Sequence, residues 1–108
     1  MTQFTQHGYD KVRDYIKNTF KHISIVNDAT EVTRVLTNDI TVVGNEIQYK
    51  VVLENTGGTF TGTTINGANL HEDMSDATPI ATVTFSNFTF EAVQDTITIT
   101  IKVQVPMN

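Results

Sequence analysis

Thr96-Ile97-Thr98-Ile99-Thr100-Ile101-Lys102-Val103-Gln104-Val105 alternates polar and apolar residues without a break. Ile97, Ile99, Ile101, Val103 and Val105 fall on one face of an extended chain. Thr96, Thr98, Thr100, Lys102 and Gln104 fall on the other. A period of two marks a β-strand with one face buried, and β-branched residues suit a pleated surface. Residues 97 to 105 would span about 30 Å at roughly 3.3 Å per residue. That length predicts a strand crossing the whole sheet, and one that would be adhesive as an exposed edge. Pro106 stops it.

The same period runs through most of the chain before it. His22 to Val26 reads as a short strand, with Ile23 and Ile25 on one face and His22 on the other as a surface histidine. Asn27-Asp28-Ala29-Thr30 turns the chain into a return strand, Glu31 to Leu36. Ile40 to Val43 and Glu46 to Glu54 flank Gly44-Asn45, a two-residue loop suited to a type II′ hairpin turn because Gly accepts a positive φ. Ile47, Tyr49, Val51 and Leu53 alternate with polar residues, and Val52 is the one apolar residue on the outer face.

Asn55 to Thr64 carries three of the six glycines and reads as a loop. Thr64-Ile65 pairs at most briefly before Asn66-Gly67 turns the chain. Leu70 to Pro79 is acidic and polar and reads as a long surface loop. Ile80 to Phe85 is a strand with Ala81, Val83 and Phe85 on one face. Ser86-Asn87 breaks it, Phe88 to Glu91 forms a second extended piece, and Ala92 to Asp95 turns into the last strand.

One helix is predicted, at residues 9 to 20, after a polar arm at 1 to 8. Val12, Tyr15, Ile16, Thr19 and Phe20 recur at helical spacing, and Asp10, Arg13, Asp14 and Lys17 fall mainly on the opposite face. A helix of three turns is marginal alone and needs a sheet to pack on. Short strands joined by turns, with one helix, predict a single mainly β domain over residues 9 to 108: an antiparallel sandwich or a Greek-key barrel.

Composition narrows the function. Hydrophobic residues make up 39% of the 108 and charged residues 18%, against about 25% charged in ordinary soluble domains. Thr and Asn occupy polar positions instead, and neutral polar groups are less costly to desolvate against a neighbour than ions are. The net charge of -5 opposes nucleic-acid binding. The basic residues Lys11, Arg13, Lys17 and Lys21 are interrupted by Asp10 and Asp14 and read as the solvated face of a helix. With no cysteine there is no disulfide framework and no thiolate metal site. The polar N-terminus lacks a signal-peptide core, and no apolar run approaches the ~20 residues that span a bilayer. A soluble protein made in a cytoplasm is expected.

His71-Glu72-Asp73 with Asp76 is the densest group of ligand-type residues. It lacks the alternating acidic spacing of a calcium loop and has no second nitrogen ligand nearby for zinc, so it reads as a solvated acidic loop. Ser24, Ser75 and Ser86 lack a nucleophile-elbow context. Gly57-Gly58 and Gly62 do not form a phosphate loop. No catalytic residue, cofactor or metal is assigned, and the chain reads as a non-enzyme. The partner-contact candidates are Phe4 and His7 in the arm, Val52 on a strand's outer face, Phe60 in the Gly/Thr loop, and Leu70 and Met74 in the acidic stretch.

Gly8-Tyr9-Asp10-Lys11-Val12-Arg13-Asp14-Tyr15-Ile16, Thr19-Phe20, Ile23-Ser24-Ile25, Ile80-Ala81-Thr82-Val83-Thr84-Phe85, Phe88-Thr89 and the Ile/Val strand after Asp95 together resemble small bacteriophage virion proteins, described as capsid decoration (cement) or tail-fibre-like proteins. The resemblance implies a β-rich structural module of the virion, without catalytic residues. Its partners would be the major capsid protein or other virion subunits, and it would be a homo-oligomer or lattice-bound, with no nucleic acid and no membrane. A capsid decoration protein stabilising the outer shell is the first expectation. A tail tube, adaptor or fibre-base component is the second, and a carbohydrate-binding host-attachment module the third. In the proposed mechanism the arm and the loops near 55 to 64 and 70 to 79 become ordered on neighbouring subunits.

Overall fold

The structure, a computed structural model, describes residues 2–106. Met1 of the predicted arm, and residues 107 and 108 of the predicted domain, lie outside them. The described residues form one α-helix, α1 (Gln6–Thr19), a short 3-10 turn (Thr56–Gly58), and seven strands: β1 (His22–Asn27), β2 (Thr30–Leu36), β3 (Ile40–Val43), β4 (Glu46–Glu54), β5 (Thr64–His71), β6 (Ala81–Thr89) and β7 (Thr96–Gln104). A four-stranded sheet runs β2-β1-β5-β6 and a three-stranded sheet β3-β4-β7. Every pairing is antiparallel. The two sheets pack face to face as a sandwich that does not close into a barrel.

The core is the sum of the inward-facing parities. Ile23 and Ile25 of β1, Ile65, Ala68 and Leu70 of β5, and Phe90 meet Ile47, Tyr49, Val51 and Leu53 of β4 and Ile99 and Ile101 of β7. Ile16 of α1 and Phe20, which caps its C-terminal end, pack against this cluster. Burial pushes the Tyr49 phenol up to about 12, because the phenolate would lose its water.

Two hairpins follow from turn chemistry. Gly44 sits at φ +59 between β3 and β4, where a two-residue turn needs a left-handed first residue. Asp28 (φ 49) and Ala29 (φ 70) are both left-handed between β1 and β2, the backbone of a type I′ turn. Ala29 there carries a Cβ that glycine would not.

Several predicted elements are corrected. The helix begins at Gln6, inside the predicted arm, because Thr5 caps it: its hydroxyl accepts from Gly8 N–H at 3.1 Å. Phe4 then packs edge-on to Tyr9, ring centroids 5.5 Å apart. The pair flanks the cap as a hydrophobic staple. The buried face of the helix is also rotated. Arg13 is its buried residue, while Tyr15 is 64% exposed and Thr19 is exposed. Arg13 turns inward because a carbonyl, that of Val105, and the Asp10 carboxylate receive its guanidinium.

Asn66-Gly67 does not turn the chain. It lies inside β5, which runs unbroken to His71, so Leu70 and His71 belong to a strand and not to a loop. The β5–β6 register shifts between Ile65, paired with Phe88, and Gly67, paired with Thr84; three residues of β6, Phe85 to Asn87, stand opposite Asn66, so the bulge lies on β6. Gly67 is required there by close approach: a Cβ would lie 3.0 Å from the Val83 carbonyl oxygen and 3.1 Å from Val26 Cγ2. β6 continues to Thr89, and the break expected at Ser86-Asn87 takes the form of this bulge, where the pairing with β5 is interrupted. β7 is the edge of a three-stranded sheet and does not cross a larger one.

Candidate functional site

Three surfaces bring polar or partly buried groups together. The first lies on the outer face of the four-stranded sheet. In register, Arg34 of β2 stands beside Ser24 of β1, and Ser24 beside Asn69 of β5. The Ser24 Oγ lies 2.9 Å from His71 Nε2, and His71 Nδ1 lies 2.9 Å from Asp76 Oδ2. With the ring proton on Nδ1, His71 donates to Asp76 and accepts from the Ser24 hydroxyl. Arg34 donates to Asp76 Oδ1 (3.2 Å), to the Asp73 carbonyl (2.9 Å) and to Glu31 Oε1 (2.7 Å). Asp73 Oδ1 accepts from the backbone N–H of Ser75 and Asp76, both at 2.8 Å, which folds the loop on itself.

Burial by itself would raise the Asp76 carboxyl pKa. The Asp73 N–H, the His71 ring and the Glu72 N–H outweigh it and hold Asp76 well below the usual carboxylate range.

This chain of contacts has the order of a serine hydrolase relay: hydroxyl, imidazole, carboxylate. Its surroundings differ. Ser24 is 1% exposed and sits mid-strand between β2 and β5, so a substrate carbonyl has no path to Oγ. What the contacts do is hold residues 72 to 79 against the sheet. The acidic loop, expected to be solvated, is pinned by His71 and Arg34. Among the described residues no three His, Asp or Glu side chains are placed to share a metal ion.

The second surface is a groove of about 500 Å3 beside this clamp. Val26, Gly67 and Asn69 line it together with Thr82 and Thr84 of β6, and Ala77 and Pro79 of the pinned loop also reach it. Its one ionisable lining residue, Asp28, accepts from Asn66 Nδ2 at 2.7 Å. No acid–base pair converges in it.

The third is the flank where β6 lies over β7. The two flanks of the sandwich differ in the charge and length of their edges. On the β2/β3 side the connecting chain crosses at one end, where Thr37 N–H donates to Lys21 O (2.9 Å), Thr37 Oγ1 to Lys50 O (2.7 Å), and Lys50 N–H to Asp39 O (3.0 Å), with a groove of about 280 Å3 beside it; β2 carries Glu31 and Arg34, and β3 is only four residues long. On the β6/β7 side the chain crosses only at one end, near Phe90. Along the rest, β6 pairs only with β5 and β7 only with β4, so both present a free edge. Two grooves of about 380 and 480 Å3 run between them. Val83 and Thr100 line both grooves, which places the middle of β7 over the middle of β6. Ala81, Val83, Phe85, Phe88, Ile97 and Val103 face inward yet are only partly buried. The two edges carry a single charged residue between them, Lys102.

The partner-contact candidates scatter. Phe4 (64% exposed) is stapled to the helix start and His7 is exposed in the first turn. Val52 is exposed on the outer face of β4, opposite Thr98. Met74 is exposed on the pinned loop. Leu70 is fully buried in the core, so it does not meet a partner in this fold. Phe60 turns inward onto Phe90 (centroids 5.4 Å). Its loop is built around Asn55, which is fully buried. The Asn55 side chain donates to Thr61 Oγ1 and Ala92 O, and accepts from Phe60 N–H. That loop is already ordered within its own domain. The sequence grouped Asp76 with His71 but did not single out the other clamp residues, Ser24 and Arg34, as partners of His71. Strand parity alone would have placed Arg34 and Ser24 on one outer face.

No known family model, curated protein or solved structure matches this chain.

Proposed function

We propose that this protein is a structural subunit that acts by joining neighbouring subunits, and that its setting is a phage virion, where it decorates the capsid. The observation that carries the first part is the open β6/β7 flank. Natural sheets protect their edges with charge, proline, strong bulges or covering loops. Here two nine-residue edges, partly exposing core side chains, carry one lysine, and the bulge at Phe85 to Asn87 of β6 leaves Ala81 to Thr84 and all of β7 regular. An uncovered edge of this kind invites pairing with another strand. The Thr-rich outer positions of β7 support the same reading, since hydroxyls lose little on desolvation if hydrogen-bonded. The capsid setting rests on the resemblance in sequence alone.

The mechanism is association through backbone pairing and burial of the half-exposed seam, with many weak contacts summed over a lattice. Quantitative mass spectrometry of purified particles tests it. A decoration role requires many copies per particle, in fixed ratio to the major capsid protein. A handful of copies would move the protein to the tail, and absence from the particle would overturn the reading.

A further inference from the structure

We propose that the seam is closed by a second copy of this chain, with β7 paired antiparallel to β7 of its partner about a two-fold axis at Thr100. This deepens the assembly reading and rests on it.

A two-fold axis perpendicular to a sheet keeps inward residues inward, so it demands a strand that matches itself when reversed. Thr96 to Gln104 does. Centred on Thr100, Ile97 opposes Val103 and Ile99 opposes Ile101, all inward. Outward, Thr96 opposes Gln104, Thr98 opposes Lys102, and Thr100 opposes itself. All nine residues pair, and the one charged side chain meets a neutral threonine. A shift of two residues in either direction loses pairs at the ends and brings Lys102 opposite Thr96 or Thr100. Like charges directly opposed would disfavour a strand, and this register has none. The overall charge of -5 on each copy opposes association, yet none of the negative charge lies on β7.

A strand pair alone is a small contact beside the roughly 1,200 Å2 that lasting interfaces bury. The axis supplies the rest. Thr100 lies over Val83, so the same two-fold brings the β6 edges together. Ala81, Val83 and Phe85 of the two copies then meet across the seam and fill both grooves. The result is a continuous six-stranded sheet in one layer, with the other layer joined beneath it.

Because the chain lacks cysteine, single cysteines test the register on the intact protein. Opposed residues in an antiparallel pair have Cα atoms about 4.5–5.5 Å apart, within disulfide reach. Oxidised Thr100→Cys should give a covalent dimer. Thr98→Cys alone should not, and a mixture of Thr98→Cys with Lys102→Cys should give the mixed dimer. Each pairing is judged against Val52→Cys, one strand away, as the background. Sedimentation equilibrium on exposed outer-face variants gives a second readout. Thr98→Glu, placed opposite Lys102, should tighten self-association by about threefold or more, and Thr98→Lys should weaken it by a similar factor.

A wild-type monomer up to about 1 mM, or equal cross-linking at positions 98 and 100, would overturn the pairing. If the monomer is nevertheless present in many copies on particles, the assembly reading survives the loss. If it is absent from them too, both readings fail.

Discussion

Arg13, in the N-terminal helix, donates a hydrogen bond to the carbonyl of Val105, just beyond the last strand, across 92 residues of sequence. The Val105 N–H in turn donates to Asn45 O at 2.7 Å, in the β3–β4 turn. One buried guanidinium thus ties the two ends of the chain to the same end of the three-stranded sheet. It also anchors the chain just past the end of β7, the strand proposed to join copies.

Arg13→Ala is expected to lower stability by about 2–3 kcal/mol, through lost packing and a buried carbonyl left without its donor. Urea denaturation followed by circular dichroism measures this. An effect within about 0.5 kcal/mol, the usual range for a surface change, would mean the contact is incidental.

Asp76 makes the loop clamp depend on acid. Its folded pKa is depressed below the unfolded value of about 3.9. Its contribution is therefore complete above that value and is lost as pH falls towards the folded pKa. The urea midpoint of the wild type should be flat in this respect down to about pH 4 and fall below it. Asp10 and Asp95 are depressed as well, Asp10 through Gln6 and Arg13 and Asp95 through the Ala92 and Glu91 N–H groups. Asp76→Asn should accordingly flatten part of the acid limb and leave the remainder. An identical acid limb in the variant would contradict the clamp.

Gly67→Ala should cost about 1–3 kcal/mol, because the new methyl meets the Val83 carbonyl and the Val26 side chain. Trimming Val26 to Ala removes one of the two obstacles, so the double variant should be less damaged than the sum of the singles. Thermal unfolding of the four proteins in the cycle gives the coupling, and strict additivity would argue against the contact.

Ala29→Gly should stabilise the protein by about 1 kcal/mol, since Ala29 is held left-handed in the β1–β2 turn. In a domain of this size that corresponds to a melting temperature higher by about 4–8 °C. No change, or a loss, would show that the turn is strained less than its φ implies.

Much of the architecture is legible in alternation alone. The faces of β4 and β7 and the Gly44-Asn45 turn follow from side-chain parity and from where glycine is needed. β5 was not legible, for a physical reason. Asn66-Gly67 is a strong turn dipeptide locally, but the glycine is spent on a close approach to β6 that only the neighbouring strands define. Arg13 misled in a similar way. A charged residue reads as solvated until a carbonyl from the far end of the chain is found to receive it. The clamp was half visible: His71 and Asp76 stood out as a cluster, while Ser24 and Arg34 come to them through strand register. The open flank could not be read at all, because which strand forms an edge depends on sheet order.

The most direct test is hydrogen exchange on this chain within its native assembly, compared with the isolated chain at low concentration. If the β6/β7 flank is the joining surface, the protection gained on assembly falls on Ala81–Thr89 and Thr96–Gln104. Unchanged exchange along both strands, with protection gained elsewhere or nowhere, would contradict it.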